Sequence, residues 1–501
     1  MSSGSHLQIQ RGASAASTYA FWVFLALTLA YLIPIVMLGR PTSTDETFFK
    51  AAGFHWVFDH RWAAPEEGTF SLKPGLNEVF FTYPPLYSFF FSLIIRALGF
   101  CWRSCVLYDA IIHLALLLTI ARFLRTFFQD ESLAARLTPW LVVTLLIPFG
   151  TFGRPDELAA TFGYAALCVE RSQRRGPYQI LLVGILLGMT MGTSVPCAFT
   201  MSAFYVGLSS MTSANVIEFL KRGAIVAAIM VAVFCLICAP IVMAHPDAIQ
   251  QNLQLSQKVL SINFEMGVAH LWRYSKLMVL PFWIMLSCGI VLTFRLGANL
   301  RWRYFASWWL PPIAIFTFLF TKNTFQGAYY LFLIPWCYAG CLQALFIKPL
   351  QSLSAKILCA ATILASTLML DANNSRDYLV TLITPQSQRW PAQAENIRRL
   401  VPPHTRVYTA EYWWALGPEY EVIDASFSDP ETVDPQRIDY ILLGQIGTGE
   451  PGKVRPLPPR LEDAQREVVA NDLDSSQQRL LGLKLSNSSG AIGPLIYKVK
   501  H

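Results

Sequence analysis

The chain has 501 residues, of which 54% are hydrophobic and only 14% are charged, and its mean hydropathy is +0.41. Soluble globular chains are about one quarter charged, so this composition excludes an ordinary soluble protein. Charge is also unevenly spread, because roughly 11% of residues 1–383 are charged against roughly 24% of residues 384–501. This contrast predicts a membrane region followed by a water-exposed tail.

The net charge of +7 divides into about +9 for the membrane region and about −2 for the tail. No basic stripe is present, which argues against binding to nucleic acid. The ten cysteines all lie in apolar segments before the tail. We interpret these cysteines as packing residues rather than as part of a disulfide framework or a metal centre.

Apolar stretches of near-spanning length recur through the first part of the chain. A helix needs about 20 residues to cross the hydrocarbon of a bilayer. We therefore predict a polytopic α-helical membrane protein with about 11–13 transmembrane helices in residues 1–383 and a small C-terminal α/β domain in residues 384–501. The stretches are 20–39, 84–101, 104–125, 138–153, 158–170, 178–195, 196–210, 223–243, 276–294, 304–320, 328–347 and 354–371.

The distribution of Lys and Arg among the short loops predicts the topology, because such loops face the cytoplasm. From Arg122 onward these clusters fall on every second loop, which places the tail and the intervening loops outside. The alternation holds if segment 84–101, which starts with Pro84-Pro85, is a re-entrant or juxtamembrane helix on the outer side. This predicts about eleven crossings, a cytoplasmic N-terminus and a first outer loop over residues 40–83.

The tail contains short β-like runs separated by Pro and Gly, at Thr405–Thr409, Glu421–Ile423, Tyr440–Leu443 and Leu495–Val499. A helical stretch is predicted near Leu461–Asn471. These patterns favour a small α/β domain with a modest core of its own.

Two acidic pairs follow predicted outer helix ends. Asp45-Glu46 comes directly after the first apolar segment, and Asp156-Glu157 follows Arg154-Pro155 at the start of a later helix. Acids in the first turn of a helix also complement its dipole, and this alternative stays open for both pairs. The functional interpretation rests on their shared side, because ionisable groups at membrane depth are expensive and mark functional sites.

Further polar residues fall in loops predicted on the same side. Arg61 lies in the first outer loop, and Lys322-Asn323 precede Tyr329-Tyr330 in a later one. A lipid phosphate needs a cation, although a lysine that snorkels at the interface is the alternative for Lys322. Asp109 and His113 share one helix face, which favours an interhelical hydrogen bond over a proton relay.

The arrangement resembles the GT-C class of integral-membrane glycosyltransferases, most closely the branch of the protein O-mannosyltransferases and lipid A aminoarabinose transferases. The matching features are Asp45-Glu46 after the first helix, Tyr83-Pro84-Pro85-Leu86-Tyr87 at the close of the first outer loop, and Asp156 further along. The late segment from Tyr329-Tyr330 to Pro335 and an outside C-terminal domain also match. These motifs are short, and their order and spacing carry the resemblance.

The resemblance implies a GT-C-like bundle that transfers a sugar, with inversion, from a polyprenyl-phosphate donor of undecaprenyl or dolichyl type. The acceptor would be a lipid, glycan or protein at the outer membrane face. It makes Asp45 and Asp156 the catalytic residues. Asp45 has the role of general base, and Asp156 takes the second acidic position of the class, which orients the acceptor or, in some members, helps to bind a divalent metal. Arg61, Arg154 and Lys322 are candidates to hold the phosphate. Substrate contacts are also expected from Glu46, Tyr83, Asn323, Tyr329 and Tyr330.

Some members of the class use a divalent metal, which here would be Mg, Mn or Zn bound by Asp156 and His270. The aminoarabinose transferases carry Glu-Lys before Pro-Pro-Leu, whereas this chain has Thr82-Tyr83. This departure argues against aminoarabinose transfer to lipid A and against a metal site of that pattern.

The alternative function is a secondary transporter or lipid flippase. Such a protein would place ionisable residues near the middle of the membrane and show two related halves. No internal repeat is evident, and the acidic pairs lie at helix ends. A scaffold that only presents the tail domain explains neither acidic pair.

Overall fold

The computed structural model describes residues 45–65, 76, 78–81, 83–127, 153–172, 176–213, 215–247, 249–250, 280–321, 327–359, 361–362, 390–409, 412–425, 428–429, 431–444, 457–471, 479–480, 483–484 and 495–501, with some helical residues between 22 and 37. Residues 138–152 of the predicted span 138–153, residues 251–275 of the predicted loop 244–275, and the domain boundary after residue 383 lie outside these ranges.

Most described residues in the first part of the chain are helical, with short non-helical segments between the helices, such as 61–64 and 79–81. Most of these helices coincide with the predicted apolar stretches. They are α1 (Asp45–Phe58), α2 (Leu86–Leu98), α3 (Trp102–Arg125), α4 (Pro155–Arg171), α5 (Pro177–Met191), α6 (Val195–Thr212), α7 (Val216–Ala244), α8 (Leu280–Phe294), α9 (Ala298–Trp308), α10 (Leu310–Thr321) and α11 (Gly327–Ile347).

Among the described residues, α3 and α7 are long and apolar enough to cross a membrane. Helix α7 leaves large apolar side chains exposed, including Leu236 at 74% and Met243 at 81%. Such a surface is expected where a helix faces lipid. The count of crossings stays a prediction.

Helix α5 packs against α7 through a stripe of glycines one turn apart. A Cβ on Gly184, Gly188 or Gly192 would come within 2.8 Å of an isoleucine or valine side chain of α7. Small residues at this spacing let helix backbones approach closely in a membrane, where packing rather than the hydrophobic effect joins helices.

Helix α2 has only 13 residues and so spans about 20 Å, less than the roughly 30 Å of a hydrocarbon core. It begins after Pro84-Pro85 and ends at Gly99, whose φ is +77°. Helix α5 has only 15 residues as well, so length alone does not separate the two, and whether segment 84–101 crosses stays a prediction. The side of the membrane on which it lies stays a prediction.

The predicted stretch 304–320 is divided in the structure, because the helix breaks at Trp309 between α9 and α10. Pro311 and Pro312 follow the break and have no backbone N–H for a continuous helical ladder. The Trp309 indole is buried and donates a hydrogen bond of 2.7 Å to Thr293 of α8, which fixes the break inside the bundle.

The tail forms helix α12 (Trp390–Leu400) and a mixed five-stranded sheet of order β2-β1-β3-β7-β4. Strand β1 pairs in parallel with β2 and β3, whereas β7 runs antiparallel to β3 and β4. The strands are β1 (Arg406–Thr409), β2 (Glu421–Asp424), β3 (Tyr440–Leu443), β4 (Arg466–Asn471), β5 (Arg479–Leu480), β6 (Leu483–Lys484) and β7 (Leu495–Val499), with a short helix α13 (Pro459–Asp463) before β4 and a separate β5–β6 pair.

The four runs predicted as strands are strands, but the predicted helix near Leu461–Asn471 is wrong for most of its length. Helix α13 ends at Asp463, and Arg466–Asn471 is the edge strand β4. Pairing with β7 satisfies the backbone of this Val-rich segment, so tertiary context decides its conformation.

One face of the sheet packs against the helices. All four residues of β3 are buried, and they alternate between a core shared with α1 to α3 and a core within the tail. Trp413 contacts the helices through its ring. The centroid of this ring lies 5.5 Å from that of Phe54 of α1 and 4.8 Å from that of Phe100. The tail domain is therefore docked onto the end of α1.

Gly53 allows the close contact between α1 and α2. A Cβ at this position would collide with the backbone carbonyl of Ser88, and Ser88 donates a hydrogen bond of 2.6 Å to the carbonyl of Phe49. We expect Gly53→Ala to separate the two helices and lower the melting temperature of the purified protein by several degrees, because backbone atoms cannot yield as a side chain can. Gly176→Ala, where a Cβ meets nothing within 4 Å, is the matched control, and an equal melting temperature for both variants would contradict this packing role.

The tail domain should be acid-sensitive through Asp439. The pKa of Asp439 is lowered to about 2, chiefly because Arg406 donates hydrogen bonds to it. A carboxylate whose folded pKa lies below its unfolded value of about 3.9 stabilises the fold above that value, and the contribution is lost as pH falls towards 2. The pair is partly exposed, so it contributes about 1 kcal/mol or less.

Hydrogen exchange of peptides covering β1 and β3 in the full chain tests this expectation. Asp439→Asn should increase exchange at pH 6, and the difference from the unsubstituted protein should shrink between pH 4 and pH 2. A difference that stays constant over this range would show that ionisation of Asp439 does not stabilise the sheet.

Candidate functional site

The centre of the site is an ion pair between α1 and α3. Lys50 is fully buried, and its Nζ lies 2.8 Å from Oδ2 of Asp109, whose side chain is 4% exposed. The same Nζ approaches the carbonyl of Cys105 at 3.4 Å. Breaking one side of a buried ion pair is strongly destabilising, because an uncompensated charge remains. The pair therefore fixes α1 against α3.

Two tyrosines complete the surroundings of Asp109. Tyr87 donates a hydrogen bond of 2.9 Å to Oδ1 of Asp109, and Tyr108 donates one of 2.6 Å to the carbonyl of Tyr87. Tyr87 closes the Tyr-Pro-Pro-Leu-Tyr motif. The end of that motif thus contributes directly to the buried charge network.

His113 lies one turn after Asp109 and makes its own contact between helices. Its Nδ1 is 3.1 Å from Oε1 of Glu157 of α4, and both side chains are 1% exposed. Asp109 and His113 therefore pair with different helices. This geometry is the interhelical hydrogen bonding that the sequence favoured over a proton relay.

Asp156 is held at the start of α4. Its Oδ2 lies 3.2 Å from Nε of Arg154, and its Oδ1 accepts a hydrogen bond of 2.7 Å from Ser194, the residue before α6. Asp156 is fully buried and Arg154 is 5% exposed. First-turn acids that only complement a helix dipole are typically exposed, so burial and pairing give Asp156 a more specific role.

Phe49 brings the start of α1 towards this second cluster. The Arg154 guanidinium lies 5.1 Å from the centroid of the Phe49 ring, within the range of a cation–π interaction. Tyr83 packs edge-on against the same ring at 4.8 Å. Asp45, the first residue of α1, precedes Phe49 by one turn and so belongs to the same helix face.

The predicted site residues are only partly assembled in the described structure. Tyr83, Arg154 and Asp156 lie around Phe49, and the first turn of α1 contains Asp45 and Glu46, whose side chains lie outside the described part. Arg61 lies elsewhere, beyond the opposite end of α1, where it lines a cavity against the tail. Lys322, Asn323 and His270 lie outside the described ranges, and Tyr329 and Tyr330 belong to the first turn of α11.

Among the described residues, no group of three or more His, Cys, Asp or Glu side chains is placed to hold an ion. Both carboxylate oxygens of Asp156 are bonded, one of them to the Arg154 cation. Because His270 lies outside the described ranges, the predicted metal pair of Asp156 and His270 stays a prediction. All ten cysteines lie in the described ranges, and no disulfide joins any of them.

Sequence reasoning missed Lys50. The sequence does contain a signal, since Lys50 and Asp109 are ionisable residues flanked by apolar residues within their helices, and such charges require partners. The pairing itself spans 59 positions and depends on how α1 packs against α3.

No protein-family model matches the chain, and no curated protein matches it either. Solved structures do match. The chain is similar to ArnT from Cupriavidus metallidurans, solved bound to undecaprenyl phosphate, with 12% identity, a TM-score of 0.56 and coverage of 90% of this chain and 96% of that one.

Two further solved structures share the architecture. The oligosaccharyltransferase of Archaeoglobus fulgidus, in complex with Zn and sulfate, has 14% identity and a TM-score of 0.51, covering 84% of this chain and 67% of that chain. The arabinofuranosyltransferase AftD from Mycobacteria has 12% identity and a TM-score of 0.51, covering 95% of this chain and 40% of that chain. The protein thus has the fold of the GT-C glycosyltransferases. Within that fold, its nearly full-length match to ArnT agrees with the resemblance derived from the acidic pairs and the Tyr-Pro-Pro-Leu-Tyr motif.

Substitutions at the ion pair can show whether it stabilises the protein by charge compensation or only by packing. Lys50→Met leaves Asp109 buried without its cation and should destabilise the protein by about 3–5 kcal/mol, seen as a large loss of melting temperature in detergent. The double variant Lys50→Met/Asp109→Leu removes both charges and should recover much of that loss. Lys356→Met, at an exposed lysine, is the control. A double variant less stable than the single one would show that the pair does not act through charge compensation.

Proposed function

We propose that the protein is an inverting glycosyltransferase that moves a sugar from a polyprenyl-phosphate donor to a hydroxyl of a lipid, glycan or protein acceptor at the outer face of the membrane. The carrying observation is the fold shared with ArnT, whose structure contains undecaprenyl phosphate. The buried pair of Arg154 and Asp156 at the start of α4, which lies beside Phe49 of α1, supports the proposal, because Asp156 matches the second acidic position of the class.

Asp45 is proposed as the general base. An acceptor hydroxyl becomes a good nucleophile when a carboxylate removes its proton. The new bond forms between the acceptor oxygen and the anomeric carbon, while the bond from that carbon to the phosphate oxygen breaks. The proton passes to Asp45, and polyprenyl phosphate departs with the bonding electrons.

The leaving phosphate requires positive charge more than it requires an acid. Arg154 is the described cation next to the start of α1, where it lies over Phe49 and pairs with Asp156. We assign the phosphate contact to Arg154. Asp156 orients the Arg154 guanidinium, and Ser194 holds the Asp156 carboxylate in place. Lys322 remains a second candidate from the sequence, as do Glu46, Asn323, Tyr83, Tyr329 and Tyr330 for the substrate.

We also propose that the protein is a multi-pass protein of the plasma or inner membrane and that its tail domain lies outside. The transporter alternative has less support. Its best candidates for mobile charge, Asp109 and His113, are each engaged with a residue of another helix. That engagement suits a rigid support for α1 and α4.

Asp45→Asn tests the proposed base. The purified protein in lipid nanodiscs would receive polyprenyl-phosphate sugars and a membrane lipid and glycan fraction as acceptor pool, and release of polyprenyl phosphate would be measured. We expect a loss of at least about 100-fold, because the amide cannot accept the proton, with an unchanged melting temperature. Asp463→Asn, at an exposed tail carboxylate, should retain full activity. Retained transfer in Asp45→Asn would remove Asp45 from the role of base.

A further inference from the structure

A cavity of about 450 Å³ lies between the C-terminal end of α1 and the tail domain. We call it the junction cavity. Ligand pockets commonly have roughly 300–1,000 Å³ and occur where domains meet. The junction cavity is lined by residues near the end of α1 and just after it, by Phe100, and in the tail by His404 and residues between 413 and 422.

One wall of the junction cavity is aromatic. Phe54, Phe100 and Trp413 form a cluster in which each ring contacts the other two, with centroids 4.6–5.5 Å apart. All three belong to the contact that docks the tail onto α1. Phe54 and Trp413 are 6% and 3% exposed, so they make the wall rigid, and the half-buried Phe100 supplies most of its accessible apolar surface.

The rest of the lining is polar and mostly acidic. Among the described lining residues, Asp59, Glu419 and Glu421 supply three carboxylates and Arg61 supplies one guanidinium. His55 forms a hydrogen bond with Asp59. Apart from the two histidines, these charges sum to a net negative lining, which disfavours an anion such as the phosphate of a lipid carrier.

The position of Glu419 is built into its loop. The backbone N–H of His404 donates a hydrogen bond of 2.7 Å to the carbonyl of Glu419. The Glu419 carboxylate also folds over Gly417, where any Cβ would collide with it. The absence of a side chain at Gly417 thus allows this carboxylate to lie against the cavity wall.

An aromatic surface beside several carboxylates suits a saccharide. The C–H faces of a sugar ring are apolar and pack on aromatic rings, while its hydroxyls donate hydrogen bonds that are stronger when a carboxylate accepts them. A cation alone would not need the aromatic wall, and an apolar ligand would leave the carboxylates unsatisfied.

The junction cavity is too far from the proposed base to hold the reacting hydroxyl. Helix α1 has 14 residues, so its two ends are about 20 Å apart. Asp45 begins the helix, and the cavity lies at the other end. A molecule that contacts both must be extended.

We propose that the junction cavity binds an uncharged or amino-substituted saccharide unit that belongs to the acceptor and lies distal to the hydroxyl that receives the sugar. Its role as an acceptor subsite rests on the proposed glycosyltransferase function. Occupation of the cavity by the saccharide does not require turnover, so the two are tested separately.

Binding of the purified full-length protein to an array of immobilised neutral, amino-substituted and acidic saccharides provides the test. The protein should bind a subset of neutral or amino saccharides. Gly417→Ala should weaken that binding at least 10-fold, because the new methyl displaces the Glu419 carboxylate, and Glu419→Gln should weaken it similarly. Glu462→Gln, at an exposed carboxylate that does not line the cavity, should bind normally.

The same array probed with Asp45→Asn separates this proposal from the proposed function. Binding that survives in Asp45→Asn while transfer is lost supports both. Absence of saccharide binding by the unsubstituted protein, binding insensitive to Gly417→Ala and Glu419→Gln, or binding only to acidic saccharides would overturn the cavity proposal whatever the activity. Competition of array binding by undecaprenyl phosphate alone would also overturn it, since the cavity would then belong to the carrier.

Discussion

The ion pair between Lys50 and Asp109 is the constraint on which the arrangement depends. Two charges buried in an apolar bundle lose several kcal/mol of solvation each and are tolerated only with near-ideal partners. Asp109 is saturated by Lys50 and Tyr87. Because any shift of α1 along α3 would separate these groups, the pair specifies one register for α1.

That register matters because the two ends of α1 contact different parts of the protein. Its first turn carries Asp45 and, through Phe49, faces the Arg154 cluster. Its last turn supplies Phe54 to the tail contact through Trp413. A helix fixed in its middle by a charge pair holds both ends in place together. The proposed base and the tail domain are thereby kept at a set separation.

The sequence predicts the parts of this structure that depend on local pattern. The strands Tyr440–Leu443 and Leu495–Val499 follow from short apolar runs between turn residues, and the helices follow from apolar length. Arg466–Asn471 was predicted helical, because its strand conformation depends on pairing with β7. The site divides in the same way: Asp156 and Tyr83 stand out by motif and position, whereas the Lys50–Asp109 pairing requires knowledge of helix packing.

The residues around the two ends of α1 also differ in charge, and the average composition of the chain does not show this difference. Near the start of α1 the described partner is a cation, Arg154, which pairs with Asp156, and Asp156 in turn accepts a hydrogen bond from Ser194. Near the end of α1 the described residues of the cavity lining include three carboxylates and one arginine. A lipid phosphate is attracted to the first region and disfavoured by the second, while a polyhydroxylated ligand suits the second. The helix that positions the base thus separates a region suited to a phosphate donor from one suited to a saccharide, and an extended acceptor could follow it between the two.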